Sequence, residues 1–130
     1  MKTVNLRKNS ILVIDDSTDM LELQKLILES EGYIVLTADN IESAMEILNE
    51  KESPDLILLD YRLNGHTGED FLFQLEEKKP EVLKKTTTVF YSGVDDLPVD
   101  KVAGSISKLA NMTRLLEEIR FFINKGHHLS

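Results

Sequence analysis

The chain has 130 residues, of which 42% are hydrophobic and 29% charged, and its net charge is −8. This size and balance predict one globular domain over residues 1–130. The acidic charge argues against a nucleic-acid-binding face, and no apolar run is long enough to cross a membrane. The absence of cysteine excludes disulfides and cysteine-ligated zinc, and it fits a cytoplasmic protein. We expect a core of about residues 10–125 between mobile tails, 1–9 and 126–130.

Short apolar runs alternate with stretches of helical period along the chain. Five runs predict strands, of which the first and third are continuously apolar and the last is a weak edge strand: 11–14, 33–38, 56–59, 86–92 and 104–108. Continuous apolar runs suit central strands that are buried on both faces of a parallel sheet. Alternating strands and helices with right-handed crossovers therefore predict a doubly wound α/β fold with a five-stranded parallel sheet.

Four helices are expected from the spacing of apolar residues. Their predicted buried faces are Met20, Leu23 and Ile27; Ile41, Ala44 and Leu48; Phe71, Leu72 and Leu75; and Leu115, Ile119 and Phe122. Asp39 with Glu42 predicts a capping box for the second helix, and Asn111 predicts a cap for the last one. Three residues predict helix ends: Gly32, Pro80 and Gly126.

Three aspartates follow two strands that are predicted to be neighbours. Asp15 and Asp16 come after the first apolar run, and Asp60 comes after the third. With strand order 2-1-3-4-5, the carboxyl ends of these strands adjoin, so the three carboxylates meet at one sheet edge. Two like charges 4 Å apart repel by about 4 kcal/mol at an effective dielectric near 20, which favours neutralisation by a hard cation such as Mg²⁺. The alternative is that each aspartate only caps the helix or turn after it.

A hydroxyl and an ammonium end the last two predicted strands at the same edge. Ser92 ends the fourth strand and Lys108 ends the fifth. A hydroxyl can donate to a phosphoryl oxygen, and a lysine can neutralise another. Taken singly, Ser92 could be a turn hydroxyl and Lys108 a surface lysine. Their joint placement beside the carboxylates favours phosphoryl transfer to an aspartate nucleophile.

The motifs ILVIDDS and PDLILLDYRLNGHTG carry the most specific part of a family resemblance. The chain resembles the receiver domains of two-component response regulators, over about Ser10–Lys125. The resemblance implies the flavodoxin-like receiver fold, with strand order 2-1-3-4-5. It also implies a signalling protein rather than an enzyme, acting as a stand-alone unit through a downstream protein that the sequence does not name.

The resemblance also implies a role for each residue of the site. Asp60 would accept the phosphoryl group from a phosphohistidine on a sensor histidine kinase or phosphotransfer protein. Ser92 would be the switch hydroxyl that closes on the phosphoryl group, and Lys108 would contact it. The Mg²⁺ ligands would be the backbone carbonyl of Arg62 and three carboxylates, those of Asp15, Asp16 and Asp60.

Four features depart from the family's usual pattern. Asn64 stands where the family usually has proline, four residues after the acceptor. Leu109 replaces a proline that the family joins by a cis bond, so we expect a trans bond, which leaves the reach of Lys108 open. Ser105 replaces the usual switch aromatic. Residues 93–107 are too few for a full helix and a strand, and Pro98 restricts them further, so the helix between the fourth and fifth strands is expected to be shortened or absent.

These departures motivate a second hypothesis from another class of protein. A pseudo-receiver would keep the fold and bind partners, but it would have no phosphorylation-driven switch. A metal-dependent phosphatase with an aspartate nucleophile is a weaker third hypothesis, because such enzymes usually have a second aspartate where this chain has Arg62. The presence of all five chemical positions favours the phosphorylatable receiver.

Overall fold

The fold is a parallel sheet with helices on both faces. The computed structural model describes residues 8–51, 53–94 and 97–128, with side chains described as far as Gly126. The strands are β1 (Ser10–Ile14), β2 (Ile34–Ala38), β3 (Leu56–Leu59), β4 (Arg62–Leu63), β5 (His66–Thr67), β6 (Thr87–Ser92) and β7 (Gly104–Ser107). The helices are α1 (Thr18–Ser30), α2 (Ile41–Glu50), α3 (Gly68–Lys78), α4 (Pro80–Lys85) and α5 (Met112–His128). None of these helices is long and apolar enough to cross a membrane.

Five parallel strands form the main sheet in the order β2-β1-β3-β6-β7, and β4 and β5 form a separate antiparallel pair. The strands predicted as fourth and fifth are β6 and β7, so the predicted order 2-1-3-4-5 is confirmed. All residues of the runs 11–14 and 56–59 are buried, as expected for central strands. Successive residues of each strand point to opposite faces, so the sheet separates two apolar clusters.

Each face of the sheet is covered by a different set of helices. Residues of α2, α3 and α4 pack on one face, and residues of α1 and α5 pack on the other. The predicted buried faces of the second, third and last helices are confirmed, because all nine of their named residues are buried. Asn111 caps α5, since its side chain accepts a hydrogen bond from the N–H of Arg114 at 2.9 Å.

The predicted buried face of α1 is wrong by one residue. The helix buries Leu21, Gln24 and Leu28, whereas Leu23 is 49% exposed. Both candidate sets have helical spacing, and the true set contains a glutamine, so an apolar pattern selects the wrong one. The expected end signal at Gly32 is confirmed, since Gly32 follows α1 with a φ of +93°.

The predicted capping box of α2 is also wrong. Asn40 caps α2 through its side-chain oxygen, which accepts from the N–H of Ser43 at 2.8 Å. Asp39 lies one residue too early for this role and accepts from the Asn40 side chain instead. The capping residue must directly precede the first helical residue, and here that position belongs to Asn40.

Of the two other helix-end predictions, the one at Pro80 is confirmed and the one at Gly126 is wrong. Pro80 follows the end of α3 as expected, but it also begins α4, a short helix that the sequence pattern did not predict; proline is tolerated at a first helical position. Gly126 lies inside α5 rather than past its end. A Cβ at this position would collide with the Thr87 side chain, so the close contact favours glycine here. The tail predicted at 126–130 therefore overlaps α5 as far as His128, while residues 1–7 and 129–130 lie outside the described part.

The connection between β6 and β7 contains no helix in its described residues, 93–94 and 97–103. Leu97 and Val102 pack against the apolar cluster on the α3 side of the sheet. The Lys101 ammonium lies 3.0 Å from a carboxylate oxygen of Glu76 on α3. The expectation of a shortened or absent helix is confirmed for this part of the connection, which lies on the sheet face as an irregular segment.

Candidate functional site

The register of the central strands brings two buried carboxylates side by side. Ile14 of β1 pairs with Leu59 of β3, so Asp15 and Asp60 follow the two strands at the same level. Asp15 is 1% exposed and Asp60 is 8% exposed. Together with half-buried Asp16, they offer three carboxylate oxygens that all lie within 4.8 Å of one another. The structure thus brings together the three aspartates that the sequence pattern placed at one edge.

Backbone N–H groups hold each of these carboxylates in place. The N–H of Ser17 donates to Asp15 Oδ1 at 2.9 Å, and the N–H of Arg62 approaches Asp60 Oδ1 at 3.4 Å. The N–H of Asn64 donates to Asp16 Oδ2 at 2.9 Å. Hydrogen bonds to a charged carboxylate offset part of the repulsion within the cluster.

The Asn64 contact was missed by the sequence analysis, although a signal for it exists. Asn64 and Gly65 join β4 to β5, and their φ angles are +29° and +82°. An Asn-Gly pair between two strands is a strong signal for a tight hairpin turn in which both residues have positive φ. This turn directs the Asn64 N–H at Asp16, so the position where the family has proline contributes a hydrogen-bond donor here.

Lys108 bridges the two buried carboxylates. Its Nζ lies 2.9 Å from Asp15 Oδ2 and 3.1 Å from Asp60 Oδ2. The described residues contain no cis peptide bond, so the expected trans bond before Leu109 is confirmed. The lysine therefore reaches the cluster without the usual proline after it. Burial by itself would lower the pKa of Lys108, but hydrogen bonds and attraction from Asp15 and Asp60 outweigh it and raise that pKa.

The charge on Asp60 is unfavourable in the folded protein. Burial raises the pKa of Asp60, and the neighbouring Asp15 raises it further. The Lys108 ammonium and the N–H of Arg62 act in the opposite direction, but the pKa remains above the ordinary value. The folded protein therefore binds a proton at Asp60 more tightly than the unfolded chain does.

A stability prediction follows from this raised pKa. At neutral pH and without divalent cations, we expect Asp60→Asn to raise the melting temperature by a few degrees, since a neutral side chain replaces an unfavourable charge while Lys108 keeps Asp15. Because wild-type Asp60 gains stability as it takes up its proton, the advantage of the variant should shrink as the pH falls through the raised pKa. Thermal unfolding at neutral pH and across an acidic pH series tests both parts. An advantage that grows at acidic pH would contradict the prediction.

Ser92 lies at the same sheet edge and is buried. Its Oγ accepts a hydrogen bond from the N–H of Val94 at 3.1 Å, and its carbonyl accepts from the N–H of Lys108 at 2.9 Å. A hydroxyl that accepts one hydrogen bond still has its own proton to donate. Ser105, at the usual position of the switch aromatic, is an exposed residue of β7. Ser92 therefore keeps a hydroxyl proton that it could donate, and the switch position holds no ring.

A parallel sheet with this strand order is flavodoxin-like, and an acidic cluster beyond the carboxyl ends of its central strands is typical of the receiver class of signalling domain. Comparison with known protein families matches residues 11–120 to the response regulator receiver domain. The chain belongs to this family. Receiver domains serve two-component systems as signalling modules that accept a phosphoryl group on an aspartate, rather than as conventional enzymes.

Individual relatives agree with this assignment. The chain is 33% identical over 109 residues to the alginate biosynthesis transcriptional regulatory protein AlgB of Pseudomonas aeruginosa. This match covers 84% of this chain but only 24% of AlgB. A CheY-like receiver domain protein from Methanospirillum hungatei superimposes with a TM-score of 0.82 at 25% identity, covering 95% of this chain and all of the other. The response regulator TrrA from Thermotoga maritima, solved with Mg²⁺ and BeF, superimposes with a TM-score of 0.74 at 27% identity. The match covers 88% of this chain and 98% of TrrA.

Proposed function

We propose that this chain accepts a phosphoryl group on Asp60 from a phosphohistidine of a sensor histidine kinase or phosphotransfer protein, and signals through protein–protein contacts. The observation that carries the proposal is the bridge from Lys108 to Asp15 and Asp60, at 2.9 and 3.1 Å, beside the cluster of three carboxylates. A lone capping aspartate does not need a half-buried lysine beside it. A carboxylate that attacks phosphorus does need a nearby positive charge, because that charge stabilises the negative phosphoryl oxygens during the transfer.

The donor set fits a magnesium ion. Three carboxylate oxygens within 4.8 Å of one another match the preference of Mg²⁺ for a few carboxylate ligands and retained waters. We propose Asp15, Asp16, Asp60 and the backbone carbonyl of Arg62 as its ligands. Mg²⁺ bound there supplies positive charge to the phosphoryl oxygens. TrrA, a relative of similar fold, was solved with Mg²⁺ and BeF, which supports this part of the proposal.

The chain's own residues supply the remaining chemistry. The Asp60 carboxylate attacks phosphorus and a new P–O bond forms, while the P–N bond of the phosphohistidine breaks with its electron pair going to the imidazole, which leaves as neutral histidine after taking a proton from solvent. The Lys108 ammonium already lies 3.1 Å from Asp60 Oδ2. After the transfer it pairs with a negatively charged phosphoryl oxygen instead. The Ser92 hydroxyl turns its free proton toward another phosphoryl oxygen. Its short side chain makes this movement a local rotation.

Intact mass measurement after incubation with Mg²⁺ and a small phosphodonor tests the proposal. We expect the wild-type chain to gain the mass of one phosphoryl group and Asp60→Asn to gain none, because the nucleophile is missing. Asp19→Asn is the matched control, since it makes the same change at an exposed aspartate in the first turn of α1. Equal phosphate on Asp60→Asn and wild type, or none on wild type, would rule out Asp60 as the acceptor.

A pseudo-receiver is the second candidate, and it is favoured by the irregular segment between β6 and β7 and by the exposed Ser105. In that case the fold would bind a partner with an affinity that does not depend on phosphorylation. A partner captured with the unmodified chain, then titrated against the chain with and without beryllofluoride, separates the two candidates. A large change in affinity would exclude the pseudo-receiver.

A further inference from the structure

We propose that Tyr91 is a positioning residue for Lys108, and that its ring guides the ammonium toward the acceptor carboxylate. This inference rests on the proposed function of the site for its catalytic consequence. The observation behind it is a cation–aromatic contact. The Lys108 Nζ lies over the Tyr91 ring, 5.7 Å from its centroid. A lysine within about 6 Å of a ring centroid is attracted to the ring face.

The register of the sheet explains why the two side chains meet. Tyr91 follows Phe90, which pairs with Leu59, so Tyr91 stands level with Asp60 on the neighbouring strand. Tyr91 itself pairs with Ile106, and Lys108 comes two residues after Ile106, on the same side of the sheet. To reach β3 and β1 from β7, the lysine side chain must cross β6 where Tyr91 lies.

The ring is well placed to hold the lysine. Tyr91 is 6% exposed and packs in the apolar cluster that also contains Ile106 and Leu115, so neighbouring side chains confine its ring. Leu109, which follows the lysine in place of the family's usual proline, is 91% exposed and offers no comparable anchor. An aliphatic residue at position 91 could fill the same volume, but it would not attract an ammonium group.

A double-mutant cycle tests the inference. We expect Tyr91→Phe to accept phosphate within about twofold of the wild-type rate, since it keeps the ring, and Tyr91→Leu to be slowed about fivefold. In a Lys108→Met background, Tyr91→Leu should cause no further slowing, because the ring acts through the lysine. If Tyr91→Leu folds poorly, Tyr91→Met replaces it as a flexible side chain without an aromatic face. Equal slowing in both backgrounds would show a purely structural role and overturn the inference.

A second measurement does not depend on phosphorylation. The aromatic ring current should displace the ε-methylene NMR signals of Lys108 in the wild type and in Tyr91→Phe, and this displacement should disappear in Tyr91→Leu. If the lysine signals are identical in all three, the contact is absent and the inference fails. If the signals behave as expected but no variant is phosphorylated, the positioning contact stands and the proposed function fails.

Discussion

Lys108→Met should slow phosphoryl transfer to Asp60 by about 10²- to 10³-fold, the usual effect of removing one donor that stabilises developing negative charge. The lysine is the cation that the structure places against the acceptor, 3.1 Å from Asp60 Oδ2. Methionine keeps much of its length and apolar stem without the charge. The initial rate of phosphate incorporation, followed by intact mass at fixed Mg²⁺ and phosphodonor concentrations, measures the effect.

The same substitution should also reduce stability. Asp15 and Asp60 would lose their shared partner, and removing one partner of a buried ion pair costs about 3–5 kcal/mol. The pKa of Asp60, already raised by burial, would rise further without the lysine, so the stability of the variant should increase as the pH falls.

Lys101→Met is the matched control for this prediction, because it removes an exposed lysine that pairs with Glu76 away from the carboxylate cluster. We expect the control to be phosphorylated at the wild-type rate. Similar slowing in both variants would mean that overall charge, rather than the bridge to the acceptor, sets the rate.

Gly68→Ala should destabilise the fold by about 1–3 kcal/mol, the usual range for overpacking a well-packed core. A Cβ at Gly68 would lie 2.7 Å from the buried Phe90 ring and 3.2 Å from the backbone carbonyl oxygen of Asp60. The ring is confined in the core, so the start of α3 or the end of β3 must shift. Urea unfolding monitored by circular dichroism measures the loss, and the rate of phosphate incorporation shows whether the acceptor has moved.

Gly93→Ala is the control for this substitution. Gly93 directly follows β6 near the site, but a Cβ there would meet no atom of the described residues within 4 Å. We expect its free energy of unfolding to stay close to that of the wild type. Equal stability of Gly68→Ala and Gly93→Ala would mean that the close packing of Gly68 is readily relieved.

The sheet was predictable because its strands are short, apolar and bounded by polar residues. The runs 11–14 and 56–59 suit central strands, and with these strands as neighbours Asp15, Asp16 and Asp60 are expected to adjoin. The bridge from Lys108 was not predictable, since the missing proline left the path of its loop open. Register decides that question, because it places the lysine two residues beyond the level of Asp60.

Helix details were less predictable, for physical reasons that differ from case to case. In α1 a buried glutamine, Gln24, interrupts the apolar pattern, so the exposed Leu23 appeared to belong to the core. In α5 a glycine that allows close packing against Thr87 resembled an end signal. Helix α4 has only six residues and a single buried side chain, Val82, which is too little for any periodic pattern.

The hairpin after Asp60 limits what can be exchanged between this chain and other receivers. Proline has no N–H and fixes φ near −65°, so it could neither donate to Asp16 nor adopt the +29° that Asn64 has here. Introducing the family's usual proline at this single position would therefore remove the hydrogen bond that holds the Asp16 carboxylate. The Asn64 contact links the acidic pair to the turn after the acceptor, so a chimera with another receiver would have to exchange these parts together.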